Sequence, residues 1–298
     1  MQLHQLKYFV SVAKTGSITK AAEACFISQP SLSQQLKKLE GIVGKRLFSR
    51  IKGKLVLTKP GQILYEHACK ILRSVDDAKV EMKEVDQNSG GLIRVGILPT
   101  LAPFILPKIL ESLSQKYPQA NVIIREEVSE VLINAASCGE LDILIEVLPF
   151  DQSNLTIESL FFDTFYLAVH QNSPLAKLKE VHVNQLEGMP FILLEDIHCL
   201  TKQIEHFCFN ENFIPKAVFQ ASQIGTIKLL IESQYGISIL PSISMKHKDE
   251  QNICYIKLIG NDKQIPGREV VLAISNDRYL SPAASFLIKT IKEHFRNM

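Results

Sequence analysis

The 298-residue sequence predicts an α/β protein in three parts: an N-terminal winged helix-turn-helix, a coiled-coil linker helix and a two-lobed effector domain. Three observations carry this. Residues 1–59 hold 11 Lys/Arg against only Glu23 and Glu40, a net +9, whereas the rest holds 22 bases against 29 acids, a net −7. Apolar residues from Leu64 onward recur every 3.5 positions. From Leu92 strand-like and helix-like runs alternate, as βαβ units do. The expected domains are 1–59 for the basic head, 60–91 for linker and hinge, and 92–298 for the body. Within the last, lobe I takes 92–163 and 267–298, and lobe II takes 164–266.

Several classes are excluded. Hydrophobic residues at 46% and charged residues at 21% exclude wholesale disorder. The apolar runs, such as 141–147 with its Asp142, fall far short of the ~20 residues a membrane span needs. The polar, amphipathic start has no signal-peptide pattern, so a cytoplasmic location and no membrane partner are expected. None of the six cysteines forms CxxC, and no Cys/His group has zinc spacing, so neither metal nor cofactor is expected. No Ser-His-Asp arrangement, phosphate-cradling glycine loop or carboxylate cluster is visible, and the chain is not expected to be an enzyme.

In the basic head, Leu3, Leu6, Val10 and Ala13 recur at helical spacing until Gly16. Ser17 then caps a second helix with Ile18, Ala21, Ala22 and Cys25 inward. Ser28 caps a third, with Pro30 in its first turn and Leu32, Leu36, Leu39 and Val43 inward. This leaves Ser31, Ser33, Gln34 and Lys37 facing out with the Ser28-Gln29-Pro30 start, a recognition helix suited to base edges and phosphates. Residues 47–58 read as a hairpin wing with Arg50, Lys52 and Lys54 along it, suited to phosphates or a narrow minor groove.

The run from Phe9 to Ala22, then Ser28-Gln29-Pro30-Ser31-Leu32-Ser33-Gln34-Gln35-Leu36, Leu47-Phe48-Ser49-Arg50 and Leu57-Thr58-Lys59-Pro60-Gly61 resemble the winged helix-turn-helix of LysR-type transcriptional regulators. Length and domain order agree over the whole chain. The resemblance implies a dimer of dimers on a palindromic DNA operator that works with RNA polymerase.

Next, Leu64, Ala68, Ile71, Val75, Ala78, Met82 and Val85 are spaced 4, 3, 4, 3, 4, 3 on a helix running to about residue 88. This is a coiled-coil seam, with Leu64, Ala68, Ile71 and Val75 as the dimer-forming positions. Asn88-Ser89-Gly90-Gly91 is the expected hinge.

In the body, 92–97, 121–128 and 141–147 read as strands, with helices near 103–116 and 130–138 between them. A second block contains strands at 165–169, 191–195, 217–221 and 236–241, and helices at 199–209 and 224–232. Strand 269–274 and helix 281–295 return to the first block. Two lobes joined twice leave a ligand cleft. The resemblance implies the same arrangement, a periplasmic-binding-protein-like effector domain with crossovers near 162–164 and 265–268. Loops at 98–100, 128–129 and 221–223 offer hydroxyls and amides to that cleft.

Cys199 falls at a helix start, where the helix dipole and His198 can favour a thiolate, the form that attacks peroxide. Thr100 is a nearby donor. Leu200, Ile204, Phe207 and Cys208 share one apolar face. Nine helical residues separate the two cysteines by ~13–14 Å, whereas a disulfide tolerates ~7 Å between Cα atoms, so joining them requires unwinding.

The segment resembles the peroxide-sensing OxyR branch of the family at Leu193-Leu194-Glu195-Asp196, His198-Cys199-Leu200, Gln203 and Phe207-Cys208-Phe209, and at Ile97-Leu98-Pro99-Thr100. That implies a peroxidatic Cys199, a resolving Cys208, hydrogen peroxide as effector, and activation of an oxidative stress response. The pocket expected on this basis comprises Pro99, Thr100, Ser129, His198, Cys199, Thr201, Ser222 and Arg268. Thr201 replaces the branch's arginine and Ser129 its threonine, which implies a slower thiol. The alternative is a regulator of the same fold answering to a small organic anion between the lobes.

Overall fold

A computed structural model describes residues 1–51, 54–84, 91–151, 155–245, 252–261, 264–275 and 279–296. The chain forms two compact units: the N-terminal residues, joined by the short 137–140 segment, and the regulatory body.

In the first unit α1 (Leu3–Thr15), α2 (Ile18–Ala24) and α3 (Gln29–Val43) precede a hairpin of β1 (Phe48–Ile51) and β2 (Lys54–Leu57). Gly16 ends α1 at φ 61°, a left-handed conformation that only glycine adopts readily. Ser17 and Ser28 cap the next two helices, accepting from the amides of Lys20 and Ser31. Leu6, Phe9, Val10, Val12, Leu32, Leu36, Leu39 and Leu47 fill the core, each buried side chain contributing about 1.5–3 kcal/mol. Four predicted inward residues are not in it: Ala13 and Cys25 are half-buried outside it, and two more are exposed. Leu3 is 48% and Val43 36% exposed, because both sit on terminal turns that overrun the core.

The long α4 (Lys59–Glu84) corrects the seam. Ala68 is fully buried and Leu64 half-buried in this unit's own core, beside Tyr65, Cys69 and Leu72. Ala68 is therefore enclosed within its own unit, in the cluster that α4 shares with α1 and α3. Ile71, Val75, Ala78 and Met82 retain exposed surface. Val85 and residues 88–90 of the expected hinge lie outside the described residues. Within this unit the sulfurs of Cys69 and Cys138 are 2.9 Å apart, and the Tyr65 hydroxyl is 3.1 Å from Cys138, so these thiols are not isolated core fillers.

The second unit contains both lobes. Lobe I packs β3 (Leu92–Ile97), α5 (Ala102–Lys116), β4 (Asn121–Glu126), α6 (Ser129–Ser137), β5 (Ile143–Val147) and the C-terminal α9 (Pro282–Arg296) around one apolar core. Lobe II packs β7 (Glu180–His182), β8 (Pro190–Leu194), α7 (Cys199–Asn210), β9 (Lys216–Ala221), α8 (Ile224–Glu232), β10 (Ser238–Pro241) and β11 (Ile253–Ile259) around another. The strands β6 (Leu155–His170) and β12 (Gly267–Ser275) join them. The main sheet runs β4-β3-β5-β12-β6-β11-β7, with β10 also on β6, while β8 and β9 form a separate parallel pair.

At the expected crossover near 162–164 the chain remains a strand. Strand β6 continues through it, pairing with β12 as far as Thr164 opposite Gly267. Phe165 then donates its amide to the Pro266 carbonyl, and the strand proceeds into its pairing with β10 and β11. The sequence obscured this because Thr156, Glu158, Ser159 and Asp163 dilute the apolar pattern. Gly267 is required at the junction, since a Cβ there would lie 2.5 Å from the Phe162 ring and 2.8 Å from the Asp163 carbonyl.

Candidate functional site

The site is assembled where α7 begins. Its first residue, Cys199, follows the N-cap His198, and the Leu200 amide at the helix start favours the charged form of the sulfur. Cys199 is only partly buried and packs against the lobe I core. The Ser129 hydroxyl, from the start of α6, lines the same cavity as Cys199 and favours its charged form.

Beneath them lies Arg268, from β12, with its side chain fully enclosed. Nε donates to Asp163 Oδ2 at 3.0 Å and Nη1 donates to Thr100 Oγ1 at 2.9 Å. Nη2 is buried with no hydrogen-bond partner among the described residues. Asp163 is held by the Ser242 hydroxyl and the Ile243 amide, each at 2.9 Å. A buried guanidinium is tolerable because this paired carboxylate offsets its charge.

Burial pushes the Cys199 thiol up, and the Arg268 guanidinium is the strongest influence opposing it. His198, by contrast, is pushed down by burial, against the pull of Glu195. The expected cationic help from His198 is thus not what the surroundings favour. The positive charge near the sulfur belongs to Arg268.

The eight expected pocket residues do not line one cavity. Ser129 and Cys199 line one of about 910 Å³, together with Lys202 and Gln203. Pro99, Thr100 and Ser222 line another of about 400 Å³, with Lys228 at its wall. Arg268 lies in neither lining and reaches Thr100 directly. Thr201 corrects the sequence reading: it is buried, and its hydroxyl donates to the Leu194 carbonyl at 2.9 Å, tying α7 to β8. Ser222 is exposed and donates to Glu195 Oε1 at 2.7 Å.

Sequence reasoning missed Glu146, Asp163 and the inward role of Gln203, whose Nε2 donates to the Leu148 carbonyl. Glu146 had a visible signal: it interrupts the apolar strand β5, where all five residues are buried. Its Oε1 accepts from the Ser129 hydroxyl and the Val147 amide, both at 3.0 Å. Cys208 sits in the lobe II core, where burial and then the charges of Glu205 and Glu211 push its thiol up to about 12.

On the first unit Ser28, Gln29, Pro30, Ser31, Gln34 and Lys37 are exposed along one start and side of α3, and Ser33 is half-exposed. Arg50 is exposed on β1. Lys52 lies outside the described residues. Among the described residues no helix is long and apolar enough to cross a membrane.

Comparison with known proteins gives two family matches. Residues 3–62 match the bacterial regulatory helix-turn-helix protein of the lysR family, and residues 86–296 match the LysR substrate binding domain. A hydrogen peroxide-inducible genes activator of Pectobacterium carotovorum is 29% identical over 297 residues, covering 99% of this chain and 97% of that protein. A full-length OxyR structure from Pseudomonas aeruginosa aligns with a TM-score of 0.71 at 26% identity, over 99% of this chain and 95% of that one. An OxyR mutant from Corynebacterium glutamicum, solved with hydrogen peroxide bound, aligns with a TM-score of 0.61 at 26% identity over 99% and 93%.

Proposed function

This chain belongs to the LysR family of DNA-binding transcriptional regulators, and we propose that it is a peroxide sensor whose switch is oxidation of Cys199 followed by a Cys199–Cys208 disulfide. The observation that carries this is the surrounding of Cys199: Ser129 on the same cavity wall, and a fully buried Arg268 whose charge favours the thiolate and whose Nη2 has no partner among the described residues. The regulators that it resembles over almost its whole length bear peroxide-response names.

The Cys199 thiolate attacks one peroxide oxygen, the O–O bond breaks, and the sulfur becomes a sulfenic acid. The departing hydroxide takes up a proton and leaves as water. Arg268 favours the two anions in turn, the thiolate and the hydroxide. The Cys208 thiol then attacks the sulfenic sulfur, forming the disulfide and releasing a second water. Because the cysteines are nine residues apart on one helix, α7 must unwind, and the bond converts chemistry into a change of shape.

Recognition of a palindromic operator falls to Ser28, Gln29, Pro30, Ser31, Ser33, Gln34 and Lys37, with Arg50 and Lys52 on phosphates. Self-association falls to the exposed part of α4 around Ile71 and Val75, and RNA polymerase is engaged from the bound operator. In the second reading the effector is a small organic anion, favoured by the 400 Å³ cavity that Ser222 and Lys228 line.

The deciding experiment is peptide mass spectrometry before and after stoichiometric peroxide. A Cys199–Cys208 linkage is expected. Oxidation confined to Cys69 and Cys138, or none at all, sinks the sensing reading and turns attention to organic anions.

A further inference from the structure

Strand β5 contains one residue that apolar packing does not explain. Glu146 has 0% exposure in the middle of lobe I, where a leucine or valine would cost nothing in desolvation. Its Oε1 accepts two hydrogen bonds, from the Ser129 hydroxyl and the Val147 amide, while Oε2 is buried with no partner among the described residues. The Ser129 hydroxyl donates to Glu146 at 3.0 Å and lines the same cavity as Cys199, whose charged form it favours. One hydroxyl proton cannot be donated to both at once. When Cys199 is a neutral thiol the proton serves Glu146; when Cys199 ionises it serves the sulfur, and the carboxylate is left to take a proton instead.

We propose that Glu146 acts through Ser129 as a proton relay for Cys199, taking up the thiol proton as the sulfur attacks peroxide and returning it to the departing oxygen. The inference rests on the peroxide reading above and adds to it the group that handles the proton. The balance is Cys199 thiol plus hydrogen peroxide giving Cys199 sulfenic acid plus water. The S–O bond forms, the O–O bond breaks, and the proton lost by sulfur ends on the released water. Glu146 itself is unchanged after each turnover. It touches Ser129, not peroxide, and is therefore a positioning residue for the proton.

The charges around it suit this task. Cys199 faces it from α7 and Arg268 from β12, the latter held by Asp163 of β6; His198 adjoins Cys199 and is pushed towards its neutral form by burial. Burial raises the Glu146 carboxyl to about 7, with Arg268 and the two hydrogen bonds resisting. A carboxyl poised there is part proton acceptor and part proton donor at neutral pH, which a relay needs and an ordinary surface glutamate is not.

The test follows Cys199 oxidation by hydrogen peroxide in the full-length protein, quenched and read by mass spectrometry between about pH 5.5 and 8.5. The wild type is expected to show an inflection near the Glu146 value of about 7. Glu146→Gln is expected to slow oxidation by about 10²-fold and to abolish that inflection, and Glu146→Asp to restore part of both. Circular dichroism of each variant fixes that the fold is retained. Wild-type oxidation matched by Glu146→Gln in rate and profile overturns the relay alone. Wild-type Cys199 that peroxide leaves untouched overturns the sensing reading, and the relay with it.

Discussion

Cys199 and Cys208 share helix α7 but face different cores: Cys199 packs against lobe I, and Cys208 is sealed inside lobe II. Only the first has access to solvent. The two cysteines therefore have unequal parts in any oxidation. Cys199→Ser is expected to abolish the response of operator binding to peroxide. Cys208→Ser is expected to leave the first step intact, so that sulfenic acid accumulates and a dimedone adduct appears on Cys199. Identical operator footprints for wild type and Cys199→Ser under peroxide would remove the redox account.

Glu146 also predicts how stability changes with pH. Folded, its carboxyl is held at about 7; unfolded, it returns to about 4.5. The folded state thus binds this proton more tightly. The stabilisation is complete below about pH 4.5 and is lost as pH rises through about 7, a total on the order of 3 kcal/mol. In urea titrations across this window, Glu146→Gln should lose that slope. A slope unchanged by the substitution would mean that burial does not hold the carboxyl up.

Thr201 gives a test of packing rather than chemistry. Its buried hydroxyl satisfies the Leu194 carbonyl, so Thr201→Val should cost about 1 kcal/mol of stability. Thr201→Arg puts a large charged side chain at a fully buried position and should unfold more easily, not react faster. An arginine variant as stable as wild type, with quicker thiol oxidation, would show that the side chain can turn to the sulfur.

For DNA, Gln34 is exposed on α3 and Arg50 on the wing. Gln34→Ala should alter base preference, by roughly 1–3 kcal/mol of discrimination at one position, while Arg50→Ala weakens all sequences and reduces the salt slope by about 1. Binding to cognate and random duplexes at several salt concentrations separates the two. Equal losses on both duplexes for both variants would contradict the assignment.

On α4, Ile71 is 37% exposed whereas Ala68 is fully buried. Ile71→Asp should disperse dimers in sedimentation with little change in melting temperature, because its effect falls on the interface. Ala68→Leu should instead strain the unit's own core by about 1–3 kcal/mol. A dimer untouched by Ile71→Asp would place the seam on another face.

Much of this fold was legible because local signals agreed with tertiary ones. Gly16, Ser17, Ser28 and Pro30 mark helix ends, and the alternation beyond Leu92 marks the lobes. The failures have common physical roots. Ala68 fits a heptad and also fits a close helix crossing, and periodicity cannot tell which neighbour it meets. Strand β6 carries polar residues along its lobe I half, so its pattern is weak where it matters most. Thr201 was placed in the pocket by the resemblance, since it stands where the branch has arginine, yet its short side chain turns to the Leu194 carbonyl of β8. Asp163 and Glu146 act on residues 105 and 17 positions away. Such pairings become visible only when the sheet brings them together.

The unbroken β6 also constrains how the regulatory body can move. Its hydrogen-bond ladder passes from β12 to β10 and β11 at 164/165 without a gap. Lobes joined by loose loops would swing like the halves of a shell. Here any swing must bend a strand that is clamped on both sides, and the bent strand pushes back. The connection behaves as a leaf spring, so a ligand or a bond that displaces one lobe works against a restoring force.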